Sequence, residues 1–128
     1  MRRNQKGFTL MELMVVIVIV AILAAVAVPL YINYVKDAQR TEAKGAIGAV
    51  ITAEQTYFQA NPATGYTQNL ADLNVDLADV SHNWGVVITA ADPNGFTVEA
   101  TGVGGQPTEG LKVSVVYARG AQPIWTEQ

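Results

Sequence analysis

From Phe8 to Ile32 the chain is almost unbroken apolar sequence, with Glu12 as its one strongly polar side chain and Thr9 and Pro29 as lesser interruptions. A helix over that stretch rises about 37 Å, enough to span a ~30 Å hydrocarbon core with some tilt. The run Val15-Val16-Ile17-Val18-Ile19-Val20 would suit a buried strand, but a lone strand leaves its backbone unsatisfied in lipid, so the pattern predicts a helix. Pro29 lacks an N–H and crowds the carbonyl of Ala25, which predicts a kink or weak point there.

Beyond Ile32 the period stays helical while polar residues enter. Val35, Ala38, Ala43, Ala46, Ile47, Val50, Ile51, Glu54, Tyr57 and Phe58 recur mostly three and four apart, with Lys36, Asp37, Arg40, Glu42 and Lys44 on a mixed, solvated side. One helix is predicted from about residue 8 to about residue 59, roughly 75–80 Å long, ended by Asn61-Pro62. Gly45 and Gly48 each cost about 1 kcal/mol against alanine in a helix interior, and close packing against another element is the expected reason.

Residues 61–83 carry no strong period. Asn69 is placed to cap a short helical turn through Leu73. From Trp84 the period becomes two. Val86–Ala90 and Phe96–Ala100 flank Asp92-Pro93-Asn94-Gly95, which predicts a hairpin. Leu111–Ala118 predicts a third strand, and Ile124-Trp125-Thr126 after Pro123 a short edge strand. An antiparallel sheet with one apolar face needs a cover, and the stripe of residues 35–58 is the candidate for it. The expected fold class is α+β: a long N-terminal helix, apolar then amphipathic, on a sheet of three to four strands.

Composition sharpens the ends of this picture. Among 128 residues there is no cysteine, which excludes disulfides, Cys-ligated zinc and thiol catalysis. The net charge of −3 is asymmetric: Arg2, Arg3 and Lys6 give residues 1–7 a charge of +3, leaving five basic residues against eleven acids, −6, for the rest. A basic leader before an apolar segment places the leader on the cytoplasmic side. An acidic remainder argues against phosphate-backbone binding, so no nucleic-acid partner is predicted.

Candidates for chemistry are few. His82 is the one histidine, and its neighbour Ser81 shares only sequence adjacency with it. Gly102-Val103-Gly104-Gly105 follows a strand but leads to no helix, the wrong context for a phosphate-binding loop. Asp72, Asp76 and Asp79 sit four and three apart, and calcium is weighed against a plain solvated acidic loop, which is preferred. Trp84 and Trp125 read as core or strand-edge aromatics. No enzymatic activity, cofactor or metal is expected.

The first 32 residues have a bland reading: an ordinary secretory signal with Ala25-Val26-Ala27 as cleavage site, releasing a soluble binding domain. Glu12 opposes it, because a disposable leader gains nothing from a charge that costs roughly 2.5–3.5 kcal/mol in a membrane-length helix. Lys6-Gly7-Phe8-Thr9-Leu10-Met11-Glu12-Leu13, with Met14 to Pro29, instead closely resembles the class III signal and N-terminal helix of type IVa pilins and related pseudopilins. The resemblance is strong over residues 1–34 and architectural beyond.

That resemblance implies a division into leader 1–7, membrane and filament-core helix 8–34, and globular head 35–128, the head comprising helix 35–60, loop 61–83 and sheet 84–128. It implies that a prepilin peptidase cuts between Gly7 and Phe8 and N-methylates Phe8. It implies that Glu12 pairs with the new Phe8 ammonium of a neighbouring subunit, and that Pro29 is the family's helix-kinking proline. Implied partners are further copies of the chain in a helical filament, the inner membrane before assembly, the peptidase, and an assembly platform with its ATPase. The implied function is a structural subunit of an extracellular type IV pilus; the alternative is a type II secretion pseudopilin in a short periplasmic filament. The missing C-terminal disulfide departs from many type IVa pilins, leaving Gly102–Gln128 to be held by turns and packing alone.

Overall fold

A computed structural model describes residues 6–128. The expected orientation charges Arg2 and Arg3 lie outside the described residues. Helix α1 spans Leu10–Ala60; a 3-10 turn at Leu70–Asp72 follows, then strands β1 (Trp84–Asp92), β2 (Gly95–Gly102), β3 (Lys112–Ala118) and β4 (Ile124–Glu127). The four strands make one antiparallel sheet in chain order, the α+β architecture expected from the period change at Trp84. The chain divides into two compact units, Met1–Val35 and Lys36–Gln128.

In the first unit every described side chain from Lys6 to Val35 is exposed. The β-branched run Val15–Val20 is helical, and α1 is long and apolar enough to cross a membrane. α1 also runs on through Pro29. The missing N–H there removes one ladder bond, to the carbonyl of Ala25.

The second unit holds the core. Ala43, Ile47 and Val50 of α1 are fully buried, as are Val98 and Ala100 of β2 and Val113 and Val115 of β3. The pairing explains the match: Phe96 faces Tyr117, Val98 faces Val115 and Ala100 faces Val113, so alternate residues of both strands share one face of the sheet. Burying each such aliphatic side chain contributes about 1.5–3 kcal/mol.

Four details depart from the sequence reading. The covering stripe of α1 starts at Ala43, not at Val35, which is 37% exposed. Gly45 and Gly48 are not packed against another element of the chain: a Cβ at either would meet nothing within 4 Å. Thr89 is a bulge between Ile88, which pairs with Val98, and Ala90, which pairs with Thr97. The bulge breaks the simple alternation, so Ile88 and Ala91, three apart, both reach the core side.

The fourth departure concerns the C-terminal region, which turns and packing alone do not hold. Lys44 of α1 is ion-paired with Glu127 of β4. Outside that region, Trp84 Nε1 of β1 donates to Glu42 Oε2 of α1 at 3.3 Å. Thr108, nearly fully buried in the glycine-rich loop, donates from Oγ1 to the carbonyl of Asn83 at 2.5 Å. The expected hairpin turn is present, with Asp92 Oδ1 accepting the N–H groups of Asn94 and Gly95 at 2.7 and 2.9 Å. Glycine is needed at position 95 because a Cβ there would collide with the Tyr117 carbonyl on β3.

Candidate assembly site

The start of α1 is built by a reciprocal pair. The Thr9 N–H donates to Glu12 Oε2 at 3.0 Å, and the Glu12 N–H donates to Thr9 Oγ1 at 3.2 Å. This is a capping box: each side chain satisfies one backbone donor that the first helical turn leaves without a partner. It explains why the helix begins at Leu10 rather than near residue 8. It also places a carboxylate at the positive end of the helix dipole. Periodicity treats Thr9 as a minor interruption; the Thr-x-x-Glu spacing before an apolar run is the signal that identifies it.

Gly7 and Phe8 precede the helix in irregular, exposed backbone, and Phe8 itself is 83% exposed. A Cβ on Gly7 would meet nothing within 4 Å, so the Gly7–Phe8 bond is open on that side. Glu12 is thus brought next to the Phe8–Thr9 segment by one helical turn. Pro29 is not: it lies about 25 Å further along α1 at the helical rise.

The remaining candidates do not assemble into reactive geometry. Ser81 Oγ donates to the Ala78 carbonyl at 2.9 Å, not to His82. Asp72 is bound by the Thr67 hydroxyl and the Asn69 amide at 3.0 and 3.2 Å, and Asp76 accepts the Ala78 N–H at 2.9 Å, so both acids serve their own turns. Asn69 caps the 3-10 turn as expected, through Ala71 N at 3.2 Å. Trp84 lies in the core, and Trp125, 38% exposed, lies on edge strand β4. A cleft of about 780 Å³ runs between the Ala49–Asn61 face of α1 and the Asp72–Asp76 loop.

One ionisable group was not singled out by the sequence pattern except as part of the stripe. Glu54 is fully buried, accepts the Thr67 N–H on Oε2 at 3.1 Å, and has no partner on Oε1 among the described residues. Burial pushes its carboxyl above the usual range, and the Thr67 bond only partly opposes this. Beside it Tyr66 stacks on Phe58 and meets Phe96 and Tyr117, with the Arg119 guanidinium 5.4 Å over the Phe58 ring.

With the helix start and the head in place, comparison with known proteins decides the family. Residues 2–28 match the prokaryotic N-terminal methylation motif, and residues 29–110 match the model described as type IV minor pilin ComP, DNA uptake sequence receptor. The chain is 37% identical over 123 residues to the type IV major fimbrial protein FimA of Dichelobacter nodosus, covering 89% of this chain and 76% of that one. It is 36% identical over 113 residues to fimbrial protein EcpC of Eikenella corrodens, covering 80% and 69%. It is 33% identical over 137 residues to fimbrial protein Q of Moraxella bovis, covering 95% and 84%.

The chain belongs to the type IV pilins. It is a structural subunit of a type IV pilus, carried in the inner membrane by its apolar helix before it enters the extracellular filament. The pilin family is structural rather than enzymatic, and its members are substrates of prepilin peptidase. Membership accounts for the exposed apolar side chains of Leu10–Val35: a surface of that size needs lipid or other subunits around it. It also separates the chain from an exported soluble domain with an ordinary signal, because the methylation motif covers the whole basic-apolar junction.

Proposed function

We propose that this pilin is cut between Gly7 and Phe8, methylated on the Phe8 nitrogen, and docked into the growing filament by pairing Glu12 with the Phe8 ammonium of a neighbouring copy. Cleavage removes the leader's cations and creates one new positive charge at the mouth of the apolar helix. Glu12 is the one carboxylate in that segment. Either charge left alone in an apolar bundle costs several kcal/mol, and each relieves the other when they meet. The pairing sets the axial register of one subunit against the next, while the apolar faces of residues 8–34 supply the contact area. The observation that carries this reading is the position of Glu12 one helical turn from Phe8, at an exposed helix start. In this scheme leader 1–7 is lost, helix 8–34 forms the filament core and head 35–128 forms its surface. Delivery from the bilayer falls to an assembly platform driven by an ATPase.

The DNA-receptor role in the matched family's description is not part of the proposal. The chain outside the leader carries −6, and Arg40, Lys44 and Lys112 each sit against an acid: Asp37, Glu127 and Glu99. Arg119 lies over Phe58, and Lys36 is the fifth basic residue outside the leader, exposed on α1. Little cationic surface is left over for a phosphate backbone.

N-terminal sequencing and intact mass of sheared filaments test the cut: the mature chain starts at Phe8 and carries one extra methyl group, and a start at Val28 would sink the scheme. Glu12→Ala tests the pairing. The variant is processed normally and yields few or no filaments; wild-type yield refutes the role of Glu12.

A further inference from the structure

The first N–H groups of a helix have no partner inside it. In a bilayer or a dry helix bundle water does not supply one either, so a side chain must. At the start of α1 two of these donors are satisfied within a single chain, by Glu12 Oε2 and Thr9 Oγ1. The same bonds restrain the carboxylate. A glutamate side chain on a helix surface otherwise samples many rotamers, and holding one in place costs conformational entropy. Here one oxygen is tied to the chain's own backbone at 3.0 Å, and among the described residues no donor is seated on the other.

We infer that Thr9 is a positioning residue for subunit docking: through the capping box it folds the Glu12 carboxylate back over the helix start and presents its second oxygen to the ammonium of another copy of this chain. The inference rests on the Glu12–Phe8 pairing proposed above. It assigns Thr9 two effects. Before assembly, the Thr9 hydroxyl accepts the Glu12 N–H and so holds the first turn closed, which keeps the membrane-embedded carboxylate on the residue-9 backbone N–H and at the positive helix terminus while no partner is present. During assembly, the acceptor is already aimed, so less rotamer freedom is lost when the incoming ammonium binds.

The test uses the full-length chain in cells that assemble it, with Thr9→Ser, Thr9→Val and Glu12→Ala. Processing is read by mass, assembly by sheared filament yield, and the box itself by amide hydrogen exchange at Thr9 and Glu12 in the intact prepilin in detergent micelles. Thr9→Ser keeps the hydroxyl and assembles like wild type. Thr9→Val, nearly the same shape without the hydroxyl donor and acceptor, is processed but yields about five- to tenfold fewer filaments, the equivalent of one lost cap. Its Glu12 amide exchanges faster by a similar factor.

Filament yield from Thr9→Val within twofold of wild type overturns the inference, as does unchanged amide exchange at Glu12. If Thr9→Val blocks processing, the exchange measurement decides alone. Wild-type filaments from Glu12→Ala would sink the pairing itself. A normal Glu12→Ala defect beside an unimpaired Thr9→Val would sink only the role of Thr9.

Discussion

Glu54 Oε2 accepts the backbone N–H of Thr67 at 3.1 Å in the fully buried interior of the head, while Oε1 meets no partner among the described residues. The contact ties the loop after α1 back to the helix, thirteen residues along the chain. Its cost is a carboxyl group in apolar surroundings, and the group answers by favouring the protonated form.

That bias makes head stability depend on pH. The Glu54 carboxyl titrates above its ordinary 4.5 in the folded chain. The folded state therefore holds the proton more tightly, and the contribution is fully present below the unfolded value. It is lost as pH rises from there through the raised folded value. Thermal melting of the full chain in detergent between pH 4 and pH 8 follows this fall at the high side. Glu54→Gln, which cannot ionise, flattens that part of the profile; an unchanged profile shows that Glu54 is not its source.

Trp84 is 1% exposed and is the largest fully buried side chain of the core. Trp84→Ala leaves a cavity and costs about 3–5 kcal/mol, enough to unfold the head or bring it close to unfolding. Trp84→Phe keeps most of the volume but loses the 3.3 Å bond to Glu42, and costs about 1 kcal/mol more than its volume change alone. Chemical denaturation curves distinguish the two.

The Lys44–Glu127 pair, with side chains 41% and 35% exposed, stabilises only modestly, on the order of 0.2–1 kcal/mol. Its effect is local to β4, the sheet's last strand. Lys44→Ala speeds amide exchange across Ile124–Glu127 while leaving β2 and β3 protected, and added salt brings wild type towards the variant. Equal acceleration in all strands would show that the pair acts globally.

Gly102→Ala is strongly destabilising although its new methyl is small. A Cβ at that position would collide with the carbonyl of Thr108, whose hydroxyl anchors the loop to Asn83. Gly45→Ala is the opposite case, with open space around it, and in the monomer gains about 1 kcal/mol of helix stability. Melting temperatures of the two variants therefore move in opposite directions.

Where the period of apolar residues is long and strong, local physics decides the element. The membrane helix, the switch to period two at Trp84 and the turn at Asp92–Gly95 were legible for that reason, and the N-terminal motif made the family legible as well. The signal for Thr9 was also present, in its three-residue spacing to Glu12. It was masked by the apolar run that surrounds it.

Other features depend on which elements meet. No local pattern states that Lys44 reaches Glu127, that Glu42 receives the Trp84 indole, or that Thr108 closes on Asn83, because each joins segments far apart in the chain. The bulge at Thr89 arises from register against β2, a property of two strands rather than one. Gly45 and Gly48 looked like packing positions by residue type, yet the sheet covers a different face of the helix. The sequence by itself determined the elements, the basic leader and the one carboxylate of the apolar segment, since these follow from nearest neighbours and from transfer to lipid. Tertiary structure alone decided which face of α1 is buried, how the last strand is held without a disulfide, and that Glu54 is buried with one oxygen on the Thr67 N–H.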